Sequence, residues 1–199
     1  MPIFTDLIQK GRTAVDNPGL GGSKDSRDWF REKAMEVKNV NPNSFIKSNT
    51  ELNRSIIKPG SMYLFNYDPK MKEELPYYDR FPLVFPFKAD AGGFLGMNLH
   101  YLPPIYRARL MDALYPLVNN QKFDETTRIK ASYSLLNSSS KYKYFVPCIK
   151  RYLYSHLKSK FLLIPANEWD VAMFLPLQRF TKKNNTYVYS ETRKIINGL

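Results

Sequence analysis

The chain has 199 residues, of which 43% are hydrophobic and 15% aromatic, and its formal net charge is +12. That much apolar surface can bury a core, which excludes general disorder, and no run reaches the ~18–20 apolar residues of a membrane-spanning helix. Cys148 is the one cysteine, so an intrachain disulfide and a cysteine-built zinc site are excluded as well.

In chain order, Phe4, Leu7 and Ile8 form a short apolar stripe, too short to hold a helix by itself. The run Asp16-Asn17-Pro18-Gly19-Leu20-Gly21-Gly22-Ser23 reads as a flexible linker. Residues 25–38 have helical spacing, with Asp25 or Ser26 as cap and Trp29, Phe30, Ala34 and Val37 near one face. Residues 39–53 are polar and contain Pro42, so they read as loop or weak helix. An arm is therefore expected over 1–58.

The aromatic run at 62–67 predicts a strand that Asp68-Pro69 ends. A second strand is predicted at 81–87, where Pro82 and Pro86 confine it to an edge or to bulges. Asp90-Ala91-Gly92-Gly93 predicts a turn, and 94–102 a third strand. Pro103-Pro104 opens a helix carrying Tyr106, Leu110, Ala113, Leu114 and Leu117. Asp124 caps another, which passes through Ile129, Tyr133 and Leu136 and ends at Ser138-Ser139-Ser140. A third helix is read over 145–160, followed by strands at 161–164 and 171–175 that would close a barrel.

The fold class expected is α+β: a small, open, SH3-like barrel built on a meander, with inserted and flanking helices and an extended N-terminal arm. The body spans 59–180 and a polar, basic tail spans 181–199.

Charge is distributed unevenly. From 126 to 167 there is no Asp or Glu, yet eight Lys and Arg: Arg128, Lys130, Lys141, Lys143, Lys150, Arg151, Lys158 and Lys160. A one-sign block of this kind calls for an acidic partner, either phosphate or a carboxylate-rich protein. On a helical wheel, Lys143, Lys150, Arg151, Tyr154 and Lys158 gather on one face, opposite Phe145, Ile149, Tyr152, Leu153, His156 and Leu157. Such a face suits phosphates, with Tyr154 stacking or donating a hydrogen bond. Four to six phosphate contacts would give a log–log salt slope of roughly −4 to −5. An outer helix face that is merely solvated stays open as an alternative, and no zinc-finger spacing or aromatic RNA-binding signature accompanies the charge.

Catalysis finds little support. His100 sits in an alternating strand and His156 on an apolar face, both suited to structural roles. Asp68, Asp79 and Lys70 have the composition of a metal-dependent nuclease, but turn and capping roles account for both carboxylates. No metal site and no cofactor is expected. Gly92, Gly93 and Gly96 do not open a phosphate-cradling loop. Cys148 reads as a small buried hydrophobe.

Four stretches carry a resemblance: PGSMYLFNYDP (59–69), LPYYDRFPLVFPF (75–87), GFLGMNLHYLPP (93–104) and EWDVAMFLPLQRF (168–180). They resemble a group of small basic proteins encoded by large contractile-tailed phages of the T-even type. The resemblance implies a virion-associated protein without enzymatic activity, made in the host cytoplasm, as a neck, tail or baseplate component. An alternative within the same resemblance is a factor bound to phage DNA ends. No functional residue carries over from it. The partners expected are other virion proteins, docked through Phe4, Leu7, Ile8 and the basic face, and DNA, with no membrane and no small-molecule substrate.

Overall fold

The computed structural model describes residues 24–118, 120 and 122–198. Phe4, Leu7, Ile8 and the whole Gly-rich linker therefore lie outside the described residues.

Helix α1 (Lys24–Glu36) buries Arg31 and Ala34, and α2 (Pro42–Ser48) buries Ile46. Asn41 caps α2 by accepting from the Asn43 amide at 3.1 Å, and Pro42 occupies the first turn, where its missing N–H costs nothing. Six strands then form one antiparallel sheet: β1 (Asn53–Arg54), β2 (Met62–Leu64), β4 (Leu83–Asp90), β5 (Gly93–Asn98), β6 (Ile149–Leu153) and β7 (Phe161–Ile164). Their spatial order is β1-β7-β2-β4-β5-β6. The pair β3 (Tyr78–Asp79) and β8 (Phe180–Thr181) forms a separate two-stranded ribbon.

Alternation along the strands divides the apolar residues between two cores. Met62, Leu64, Leu83, Phe85, Met97, Leu162 and Ile164 face the helices. Tyr63, Phe65, Val84, Phe94, Tyr152 and Phe161 build a second, aromatic cluster. Phe94 on β5 and Phe161 on β7 have ring centroids 5.7 Å apart. Three strand spacings separate these strands, about 14 Å in a flat sheet. The sheet is therefore strongly curled around its aromatic face, and Phe65 sits inside the curl, 5.2 Å from Tyr152 and 5.1 Å from Phe161.

The meander β2-β4-β5 follows the sequence expectation, and the predicted strand at 161–164 joins it beside β2. Pro86 lies next to a register shift between Pro86 and Lys88, so a proline is accommodated inside a central strand at a bulge. At the β4–β5 turn, Asp90 Oδ1 accepts from the amides of Gly92 at 2.9 Å and Gly93 at 3.0 Å. Helices α3 (Pro104–Val118) and α4 (Glu125–Ser139) form where the sequence placed them. Asp124 caps α4 by accepting from the Thr127 amide at 2.7 Å.

Three readings are corrected. The helix expected over 145–160 is a 3-10 turn (Val146–Cys148), strand β6, and a second 3-10 turn (Tyr154–His156). The backbone of 149–153 instead pairs along β5, from Met97↔Ile149 to Gly93↔Leu153. The strand expected at 171–175 is helix α5 (Trp169–Phe174), which buries Trp169, Val171, Ala172, Met173 and Phe174 in near succession. With five of its six residues buried and only Asp170 polar, it carries almost no period to read. With that strand gone the barrel does not close: among the described residues the sheet is open, with β1 and β6 at its edges.

The polar tail also contains a helix, α6 (Asn185–Asn197), capped by Asn184 and ended at Gly198 with φ +77°. Val188, Thr192 and Ile196, spaced four apart, are its buried stripe.

Candidate nucleic-acid interface

With the helix at 145–160 replaced by strand and turns, the five cation-face residues do not share one surface. Lys143 lies in the turn after α4, and Lys150 and Arg151 are on β6. Tyr154 starts a 3-10 turn, and Lys158 lies in the loop before β7. Lys150 is half-buried, its ammonium 4.3 Å from the Tyr101 ring centroid, and burial lowers its pKa. Arg151 forms a bidentate pair with Asp90 across the β4–β5 hairpin tip, Nη1 to Oδ2 at 2.7 Å and Nη2 to Oδ1 at 2.9 Å. Arg151 first, then the Gly92 amide, holds the Asp90 carboxyl at about 2. Tyr154 packs its ring 5.9 Å from Phe94. Three of the five thus serve the sheet. Lys143 and Lys158 are exposed and have no ion-pair partner among the described residues.

The acid–base candidates are likewise engaged. Asp79 is sealed against His100, with Oδ2 2.6 Å from Nδ1, while its other oxygen accepts from the Phe81 amide at 3.1 Å and the Arg179 amide at 3.0 Å. Asp68 pairs with Lys72 at 3.2 Å, and His156 Nδ1 lies 2.9 Å from the Asp68 carbonyl oxygen. Among the described residues no cluster of three or more His, Cys, Asp or Glu side chains is arranged to hold a metal ion. Arg107 is buried in a cage of acceptors: the carbonyls of Leu102 (2.7 Å), Met173 (2.6 Å) and His100 (3.0 Å), and the Tyr189 hydroxyl (2.7 Å). Its guanidinium ties α3, α5 and α6 together. Burial pushes the Cys148 thiol up to about 12, far from a reactive thiolate.

Of the cations between 141 and 160, those that are exposed and have no ion-pair partner among the described residues fall in two places. One is the loop before β7, where Lys158 donates its amide to Asn66 O at 2.9 Å and Lys160 precedes the Phe161↔Arg54 pairing. The other lies where the first turn of α3 meets the turn after α4. There the Arg109 guanidinium stands 5.7 Å from the Tyr106 ring centroid, and Tyr106 lies 5.9 Å from Tyr144 with a 38° tilt. The Lys143 ammonium is 6.0 Å from the Tyr144 centroid. Four side chains from two elements thus alternate cation, ring, ring, cation. Around them Tyr142 is 62% exposed, Tyr144 43%, Ile105 57% and Val146 53%, and Lys141 is exposed beside them. The wheel reading picked out only Lys143 from this ledge. Its signal in the sequence is the alternation Lys141-Tyr142-Lys143-Tyr144, which helical periodicity does not register.

A ledge of this kind supplies phosphates with cations and bases with flat apolar faces. No helix among the described residues is long and apolar enough to cross a membrane. The family model described as the phage T4 terminal DNA protecting protein matches residues 2–196 of the chain. No curated protein and no solved structure matches it.

Proposed function

The chain belongs to the family of the phage T4 terminal DNA protecting protein, and we propose that it binds the ends of linear phage DNA and shields them by occupancy. The family description favours this DNA-end role over the tail, baseplate or neck docking that the sequence put first. The structural observation that supports it is the cation-aromatic ledge of Arg109, Tyr106, Tyr144 and Lys143, with Lys141 and Tyr142 beside it. Phosphate contacts by these cations supply affinity without sequence preference, as a factor acting at any end requires. Lys158 and Lys160 add a second cationic point of contact. Presence in the virion belongs to the same proposal, because a factor held on a DNA end travels with that DNA. The N-terminal residues Phe4, Leu7 and Ile8 keep their proposed role in docking to neighbouring virion proteins.

The test is end protection. Purified protein is incubated with linear duplex DNA and challenged with a processive double-strand exonuclease, with a nicked circle as the binding competitor. Full-length linear DNA surviving the challenge is the expected result. Digestion at the unprotected rate, with no DNA retention at low salt, overturns the proposal.

A further inference from the structure

Exposed cations alone would hold the side of a duplex as readily as its end. The ledge contains something else: two tyrosines and two aliphatic side chains turned to solvent beside the cations Lys141, Lys143 and Arg109. Tyr142 and Tyr144 are 62% and 43% exposed, and Ile105 and Val146 are 57% and 53% exposed. An exposed apolar cluster of this sort marks a binding surface. Among the described residues no carboxylate pairs with Lys141, Lys143 or Arg109. The occupant must therefore present a flat apolar face bordered by negative charge.

The terminal base pair of a blunt duplex has that form. Its outer face is unstacked, and a phosphate strand runs along each side. Internal base pairs are stacked on both faces and offer nothing for a ring to cover. We infer that Tyr142 and Tyr144 stack on the terminal base pair of a DNA duplex while Lys141, Lys143 and Arg109 bind the flanking phosphates. The ledge is thus the element that distinguishes an end from the duplex interior. This inference rests on the DNA-end reading and assigns that reading its recognition residues.

Tyr106 backs the surface. Its ring lies 5.9 Å from Tyr144 and is itself only partly buried, so Tyr144 is supported by α3 and does not hang from a free loop. Stacking of one base on an aromatic side chain contributes about 1–3 kcal/mol, equivalent to about 5- to 150-fold in affinity at 1.4 kcal/mol per decade.

The experiment compares a blunt-ended duplex with a dumbbell of the same sequence, whose ends are closed by loops, and places 2-aminopurine at the terminal or a central position. Wild-type protein is expected to bind the blunt duplex at least about 5-fold more tightly than the dumbbell, and to change the fluorescence of the terminal probe only. Tyr142→Ala/Tyr144→Ala is expected to lose that preference while keeping salt-sensitive binding to both DNAs, and the Tyr→Phe pair to restore it. If wild-type protein binds neither DNA, the DNA-end reading itself fails. If it prefers blunt ends and the double-alanine variant keeps the preference, the stacking inference is overturned and the DNA-end reading stands. A silent terminal probe under the wild-type protein also overturns the inference, without reference to any variant.

Discussion

The Oδ2 oxygen of Asp79 lies 2.6 Å from Nδ1 of His100, and both side chains are sealed from solvent. Nε2 of His100 is buried and has no hydrogen-bond partner among the described residues. A protonated imidazole would leave an N–H donor stranded there, so the ring is neutral and Nδ1–H donates to the carboxylate. The contact joins β3 to the turn after β5, and the Arg179 amide brings in the approach to β8.

Acid sensitivity follows from this pair. Burial, reinforced by Arg107 and Arg179, holds the His100 pKa below its ordinary value against the pull of Asp79. For Asp79 burial acts upward, but donors from His100, Arg179 and Phe81 hold the carboxyl down. The unfolded chain thus takes up protons that the fold refuses, and stability falls as pH drops below about 6.5 and again below about 4. The melting midpoint should decline between pH 7 and 5. In His100→Asn that segment should flatten, while stability at pH 7 drops. An unchanged slope in the variant would assign the effect elsewhere.

Arg31 anchors α1. Its buried guanidinium meets Asp170 at 2.8 Å, Asp112 at 2.9 Å and Asp28 at 3.0 Å. Replacing it with Met takes the ion-pair partner from the part-buried Asp170, while Asp112 keeps Arg27 at 3.4 Å, and should cost about 3–5 kcal/mol in urea unfolding. Arg31→Met/Asp170→Leu should recover part of the loss, because one uncompensated charge goes with it.

The two kinds of lysine should separate in a binding assay. Lys141→Glu/Lys143→Glu should weaken DNA retention and shrink the log–log salt slope by about 2, with little change in melting. Lys150→Met should leave the slope unaltered, since that ammonium is folded over Tyr101. A slope that drops with Lys150 and not with Lys143 would relocate the interface to β6.

Gly93 is fixed by close approach. A Cβ there would stand 2.0 Å from the Tyr152 carbonyl oxygen. Gly93→Ala should push β6 off β5 and cost about 1–3 kcal/mol, detectable as faster amide exchange across 149–153.

Cys148 reports on the same region. Fully buried and with its thiol pushed up to about 12, it should resist alkylation in the native protein and react only on unfolding. In Gly93→Ala, labelling should begin at lower urea than in the wild-type protein.

Helices with polar caps and a mixed face were legible from sequence alone. Asp124 and the spacing of Ile129, Tyr133 and Leu136 define α4 locally, and Pro104 does the same for the opening of α3. Alternating strands with strong turns were equally readable, as Asp90 to Gly93 illustrates. These features are fixed by neighbours in the chain. The run 149–153 was not readable, because five residues with two cations fit a helix wheel and a strand about equally. What decided it is distant in sequence: Gly93 on β5 leaves room for another backbone, since a Cβ there would meet the Tyr152 carbonyl. Helix α5 hid for the opposite reason, as burial of five of its six residues leaves almost no periodic signal.

Composition and order along the chain determined that this protein is basic, aromatic and built of mixed helix and sheet, with its positive charge concentrated in one stretch. Which of those charges are available was decided only by the fold. Arg151 is neutralised by Asp90, 61 residues away, and Lys150 is covered by Tyr101, whereas Lys143 stays in solvent beside rings that α3 brings to it. A charge's effect depends on its separation from its nearest partner, and those separations exist only once the chain has folded.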